Sequence, residues 1–366
     1  MGKEENIEFQ AVSYDDVKNG IRFENDNYGL AAYLTKTRIN TFFANPNLKD
    51  YSECLMSIER VNGIIAGRSM LFPSKVKIGE EIFPCQTSST LDVPEEYRSL
   101  GLGANLFYFL SRLTPYDYVI CSGISEMALP LYKAMKYHLF GFPRMMYLCD
   151  SRPLMESYGL KGVVLKMASG VINSVLRIKT KNLRRKSEKL SSRYKIVKDA
   201  IVPQWVDKMV LKDGHKYGEC HDREWLQWNL DYNFKGDKED IQSFYSIYYN
   251  ERPIGFFMTK ERYRKEAGGK LKDFILGAIV EWGSSDSSLL CEGDIVKLAF
   301  GTFSHDVDII EFATCDMTTV KEMKKHWFIK HGYAHIAFKD KTKKLKDASD
   351  INLWRIRYGY ADVILT

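Results

Sequence analysis

The chain has 366 residues, enough for two domains, and its 45% apolar and 27% charged residues are the make-up of a globular protein with a core in each half. A formal net charge of +6 suits a phosphate-bearing ligand and is too small to point to nucleic acid. Met1–Gln10 is polar, without the apolar segment of a signal peptide, and no uncharged apolar run is long enough to span a bilayer. The seven cysteines form no CxxC pair, so reduced thiols in a cytoplasmic protein are expected.

In chain order, residues 28–45 carry apolar positions at helical spacing (Leu30, Ala31, Leu34, Ile39). A meander of strands follows at 54–58, 64–72 and 82–93, turning at Asn62-Gly63 and Gly79. After Pro94 comes a glycine loop, then a helix with Leu106, Phe107, Phe109, Leu110 and Leu113 on its apolar side. A strand at 116–121, a helix at 125–136 and a strand at 143–148 complete this half. Residues 156–193 read as a basic helical connector. The second half repeats the order: strand 194–201, helices 203–210 and 221–230, a hairpin at 243–259, strand 274–282, helix 289–300, strand 309–313, helix 318–330 and strand 333–338. The expected class is α+β, as two domains (1–155 and 194–366), each a mixed, mostly antiparallel twisted sheet flanked by helices, and the repeated order suggests duplication.

The most informative segment is Arg98-Ser99-Leu100-Gly101-Leu102-Gly103-Ala104, between a strand and a helix. A glycine loop at a helix start presents free N–H groups and the positive end of the helix dipole, which suits a pyrophosphate. Glycine at 101 and 103 lets the backbone come close, and Arg98 adds a charge. A dinucleotide fingerprint would instead follow the first strand of a βαβ unit. Here the loop follows an antiparallel meander.

This loop resembles the acetyl-CoA signature (Gln/Arg)-x-x-Gly-x-(Gly/Ala) of the GCN5-related N-acetyltransferases, with Arg98, Gly101 and Gly103 at the defining positions. Downstream, Ser125-Glu126-Met127-Ala128-Leu129-Pro130-Leu131-Tyr132 is similar to that family's N-x-x-A-x-x-L-Y segment, with Ser125 in place of Asn. The resemblance implies acetyl-CoA as acyl donor, an amine acceptor attacking the thioester directly, and no metal. Leu91, Asp92 and Val93 would supply the backbone N–H that polarises the thioester carbonyl. Tyr132, or Tyr137 if the later Gly141-Phe142 marks the motif's end, would protonate the departing thiolate. Ser125 and Ala128 would line the cofactor.

The strand before the loop carries no carboxylate over residues 82–90. Glu59, Glu126 and Asp92 are the nearest, and all three read as surface or capping groups, so the base is unassigned. Cys85 and Cys121 read as core thiols. In the second half, Gly283-Ser284-Ser285-Asp286-Ser287-Ser288 stands where a phosphate loop would be, but without its pattern and with an acid in it, so that half is expected to bind no CoA. His331-x-x-x-His335 has a zinc-like spacing, interrupted by Gly332, and no metal is expected. Residues 160–189, apolar then basic, suggest contact with a membrane surface. Paired domains of this kind also resemble Fem-like aminoacyl transferases, which take aminoacyl-tRNA; the intact glycine loop weighs against that reading. A binding protein that kept the fold and lost the chemistry is the third reading.

Overall fold

The structure is a computed structural model and describes residues 5–27, 29–235, 240–267, 271–360, 363 and 365. Met1–Glu4 of the polar N-terminal stretch, and Tyr28 of the first expected helix, lie outside the described residues. The strands are β1 (Ile7–Ser13), β2 (Cys54–Val61), β3 (Ile64–Ile78), β4 (Glu81–Asp92), β5 (Tyr118–Ser122), β6 (His138–Leu148), β7 (Lys195–Asp199), β8 (Tyr217–Glu219), β9 (Ile241–Tyr249), β10 (Arg252–Ala267), β11 (Leu271–Ser284), β12 (Ile309–Ala313) and β13 (Ile329–Asp340). The helices are α1 (Tyr14–Lys18), α2 (Lys36–Phe43), α3 (Leu102–Leu113), α4 (Leu129–Ala134), α5 (Arg152–Ser157), α6 (Gly162–Ser191), α7 (Trp205–Leu211), α8 (Arg223–Asp231), α9 (Glu292–Thr302) and α10 (Met317–Lys325).

Among the described residues the strands form one continuous sheet, in the order β1-β2-β3-β4-β5-β13-β6-β12-β11-β10-β9-β7, with β8 added to β3. Each half builds an antiparallel meander that ends in a parallel pair, β4 with β5 and β11 with β12. Each half then gives its last strand away. β13 pairs antiparallel with β5, placing Ile336 opposite Ser122, and β6 pairs antiparallel with β12, placing Tyr147 opposite Ile310. β6 and β13 pair with each other at the centre. The mixed, mostly antiparallel sheet flanked by helices is the expected class, with the two halves merged through exchanged strands.

Turn chemistry sets the hairpins. Asn62 and Gly63 both take positive φ between β2 and β3, as do Asn250 and Glu251 between β9 and β10; this primed-turn geometry follows the twist of paired strands. One face of the sheet is covered by a core containing Trp225, Trp354, Tyr217 and Phe244. Beneath α6 and α9, Tyr147, Trp282, Phe312 and Phe328 pack on the other face, with Phe300 of α9 turned in among them.

Several boundaries differ from expectation. The segment 28–45 is a short 3-10 turn, Ala31–Tyr33, followed by α2, because Thr35 caps the Arg38 N–H and starts a new helix. Residues 125–136 divide into a 3-10 turn and the six-residue α4, with Leu129 and Pro130 at its start. β1 and β8 were not anticipated. His331 and His335 lie on strand β13, away from any helix face, and no group of metal-binding side chains occurs among the described residues.

Candidate acyl-transfer site

The site begins where two parallel strands part. β4 is laddered to β5 from Cys85↔Tyr118 to Ser88↔Cys121. Beyond Ser88 it continues to Asp92 against β3 alone, with a register shift where Thr90 adopts φ 51°. A bulge of this kind bends the strand and breaks its ladder on one side. Residues 91–93 therefore lie beyond the β4–β5 ladder, where a gap in the pairing opens beside β5. Asp92 pairs with Arg68 at 3.3 Å, which engages its half-exposed carboxylate.

At the open end of the gap the chain turns through a 3-10 segment, Glu95–Leu100, into α3. Gly101 caps α3 with φ 71°, the left-handed conformation glycine adopts without strain. Its carbonyl accepts from Ala104 and Asn105 N–H, at 3.1 and 3.3 Å, and its own N–H bonds to the Arg98 carbonyl. The N–H groups of Leu102 and Gly103 are left with no acceptor inside their own helix. Within the expected span of residues 100–104, the Gly101 and Ala104 amides are used to build the turn. A Cβ at Gly103 would only touch Val93, at an ordinary 3.8 Å, so no packing demand accounts for glycine there. Arg98 is exposed and donates from Nε to the Val93 carbonyl at 2.9 Å, which ties the loop to the end of β4. Ser99 and Ala104 are exposed, whereas Leu102 is buried and anchors the loop against Val93.

Tyr132 on α4 and Tyr137 just beyond it are both buried, packed with Phe107 of α3 at ring separations of 4.6 and 5.5 Å. Burial, and then the nearby Cys121, hold the Tyr137 phenol well above its ordinary pKa. Ser125 is exposed at the N-cap of the 3-10 turn, and Ala128 packs into the same small cluster as the two tyrosines. Cys121 is buried and its thiol is pushed up to about 12, and burial also raises Cys85, so both are inert core thiols as expected.

Among the nearest carboxylates, Glu126 is exposed and Asp92 is ion-paired. Glu59 departs from its expected surface position. It is fully buried on β2 beneath α3, lies beside Gly67, and both its oxygens lack a hydrogen-bond partner. Burial raises its pKa to about 7. Strand β2 ladders Glu59 opposite Gly67 with its side chain toward the helix layer, which the alternation of a short apolar run does not reveal.

At the C-terminal end of β5 a cavity of about 170 Å³ opens, lined by Ser122, Gly123 and Ile124 from the first half and by Tyr333, His335, Tyr358 and Tyr360 from the second. Arg144 on β6 enters it, bonded through Nη2 to Glu311 at 2.8 Å and to the Tyr358 hydroxyl at 3.3 Å. Behind Tyr360 runs a buried charged network. Tyr360 Oη accepts from the Glu219 N–H and donates to the Arg355 carbonyl. His221 lies between the carboxylates of Glu219 (3.0 Å) and Glu281, and stacks on Trp225 at 3.6 Å. Burial works against the imidazolium, but Glu281 and Glu219 outweigh it, and the His221 pKa is raised. For Glu281, burial alone would raise the pKa; Arg355 at 2.6 Å, and then His221, bring it down to about 2. These residues come from three distant parts of the chain, so no local motif announces them.

At the corresponding place in the second half, a cleft of about 810 Å³ lies between the ends of β11 and β12. It presents Asp213, Asp286, Glu292 and Asp316 together with Lys212, His215 and Arg357. Glu292, in the first turn of α9, pairs with Arg357 at 3.2 Å and accepts from Thr314. The start of α9 thus carries an ion-paired carboxylate in place of a glycine turn.

Solved structures with this architecture include a GCN5-related N-acetyltransferase from Anabaena variabilis, 8% identical with a TM-score of 0.54 over 92% of this chain and 73% of that one. Saccharomyces cerevisiae N-myristoyltransferase with bound myristoyl-CoA is 11% identical, with a TM-score of 0.56 over 91% and 82%. A probable N-acyltransferase from Enterococcus faecalis is 13% identical, with a TM-score of 0.54 over 93% and 74%. No protein-family model and no curated protein sequence matches the chain. The fold is therefore that of the GCN5-related N-acetyltransferases and N-myristoyltransferase. Among the described residues no helix is long and apolar enough to cross a membrane.

Proposed function

We propose that the protein is an acyl-CoA-dependent N-acyltransferase, with acetyl-CoA as donor and a primary amine as acceptor. The observation that carries this is the glycine turn at the start of α3, set at the open end of the gap between β4 and β5. The pyrophosphate would rest on the Leu102 and Gly103 amides, with Arg98 beside it. The thioester would lie in the gap, its carbonyl polarised by a backbone N–H of residues 91–93. The amine would enter from the cavity at the end of β5, whose small volume suits an amine group and a short acyl chain. Attack by the amine nitrogen forms the amide bond, breaks the thioester C–S bond and releases the CoA thiolate. Tyr132 is the proposed donor of a proton to that thiolate, with Tyr137 as the neighbouring alternative. Glu59 is our candidate to accept the amine proton, since Glu126 faces solvent and Asp92 is held by Arg68.

The test is calorimetric titration of acetyl-CoA into the wild-type chain and into Gly103→Glu, with myristoyl-CoA as a second donor. The substitution sets a carboxylate in the phosphate position, at a site where the fold has room for a side chain. One site per chain, lost in the variant, is the expected result. If neither donor binds the wild type, the acyltransferase reading fails. Tighter binding of the long-chain donor would replace acetyl-CoA within it.

A further inference from the structure

Helix α6 turns its apolar side the wrong way for a globular protein. Ser169, Leu176, Leu183 and Ser187 face the body of the molecule. On the opposite side, Val163, Val164, Met167, Val171, Val175 and Ile178 are all exposed, Met167 by 69% and Val171 by 72%. At 100° per residue these six fall within an arc of about 120°, one continuous stripe over the first half of the helix. The same face continues as Lys181, Arg185 and Lys189, all exposed. Trp327 stands exposed next to the stripe, with the Lys179 ammonium 4.4 Å above its ring. An apolar stripe this long on a solvent-facing helix marks a binding surface.

Its charge identifies the partner. Between Glu156 and Glu188 the chain has eight Lys and Arg residues and no Asp or Glu. A second copy of the chain would bring the same unrelieved positive charge against it. An anionic lipid surface complements both parts: acyl chains take the valines and Met167, headgroups take the lysines and arginines, and Trp327 sits at the boundary where indole rings collect. We propose that α6 lies in the interface of an anionic bilayer and holds the protein there. This inference stands on α6 and Trp327 and is independent of the acyltransferase reading.

The test is co-sedimentation of the full chain with phosphatidylcholine vesicles containing or lacking phosphatidylglycerol. Two variants accompany it, Met167→Glu with Val171→Glu, and Lys181→Gln with Arg185→Gln. The wild type is expected to bind the anionic vesicles at least about tenfold more tightly than the neutral ones, and either double variant to lose about tenfold or more. The proposal is overturned if the wild type stays in the supernatant with anionic vesicles, or if the glutamate variant binds as the wild type does. It is equally overturned if light scattering shows a dimer that the glutamate variant dissociates, because a second copy then covers the stripe. A lowered melting midpoint in the glutamate variant would show that the face is packed within the fold, and would overturn it as well.

Discussion

Replacing Glu59 by glutamine tests the buried carboxyl beneath α3 without changing its shape. Both oxygens are buried without a donor, and the folded pKa is about 7 against an ordinary 4.5. At pH values below 4.5 the group is protonated in the folded and the unfolded chain alike, and it carries no penalty. Between 4.5 and 7 the unfolded chain gives up the proton while the folded chain keeps it, so stability falls as pH rises. Above 7 the penalty is constant. The rise from 4.5 to about 7, at about 1.4 kcal/mol per pH unit, sets it at no more than about 3.5 kcal/mol. Glutamine cannot ionise, so the variant is expected to match the wild type near pH 4 and to be more stable than it near pH 8 by up to that amount. Urea unfolding followed by tryptophan fluorescence across this range measures the difference. A stability difference that is the same at both ends would show that Glu59 does not titrate in the folded state at a raised pKa, and the account of its burial would be wrong.

Two further outcomes follow from the site. His221→Gln removes the cation between Glu219 and Glu281 and should cost roughly 3–5 kcal/mol, the usual scale for breaking a buried ion pair. Because the folded pKa of His221 is raised above 6.5, that loss should be largest below this value and shrink as pH climbs through the folded pKa; denaturation midpoints from mildly acidic to alkaline pH check it. Tyr132→Phe keeps the ring against Phe107 and deletes only the hydroxyl, so acetyl-CoA affinity should hold while kcat falls by about a hundredfold. An unchanged kcat, measured with an amine substrate once one is found, would remove Tyr132 from the mechanism.

The glycine loop was legible because its meaning is local. Gly101 and Gly103 stand a fixed distance from Arg98, between a strand and an apolar helix, and the structure keeps them there. The meander and its turns were legible for the same reason, through Asn62-Gly63 and Gly79. What the sequence hid depends on pairing at a distance. β1 is a half-exposed strand whose short alternation (Ile7, Phe9, Ala11) breaks at Val12, so its identity comes from β2 beside it. Glu59 sits in a run that reads equally well with either face inward, and only the register with Gly67 turns it under α3. His221 has no spacing relation to Glu281 or Arg355, since its environment is assembled by strands and a C-terminal segment far away in the chain.

The exchange of β6 and β13 changes what a second half can contribute. Had each half kept its own last strand, β5 would end against first-half residues, and the far side of the gap would belong to the half that carries the glycine loop. Instead β13 lies along β5, and the segment after it crosses the sheet so that the Ser122 hydroxyl donates to the Tyr360 carbonyl at 3.1 Å. The cavity at the end of β5 is thus walled by Tyr333, His335, Tyr358 and Tyr360, while β4, β5 and α3 frame the gap and the glycine turn. The second half retains a structural reason to be present, because it supplies the wall an acceptor would meet. On the proposed reading, donor and acceptor sides would come from different halves and could vary separately, since changes along β13 or residues 354–360 alter one wall and leave the loop at Gly101 untouched.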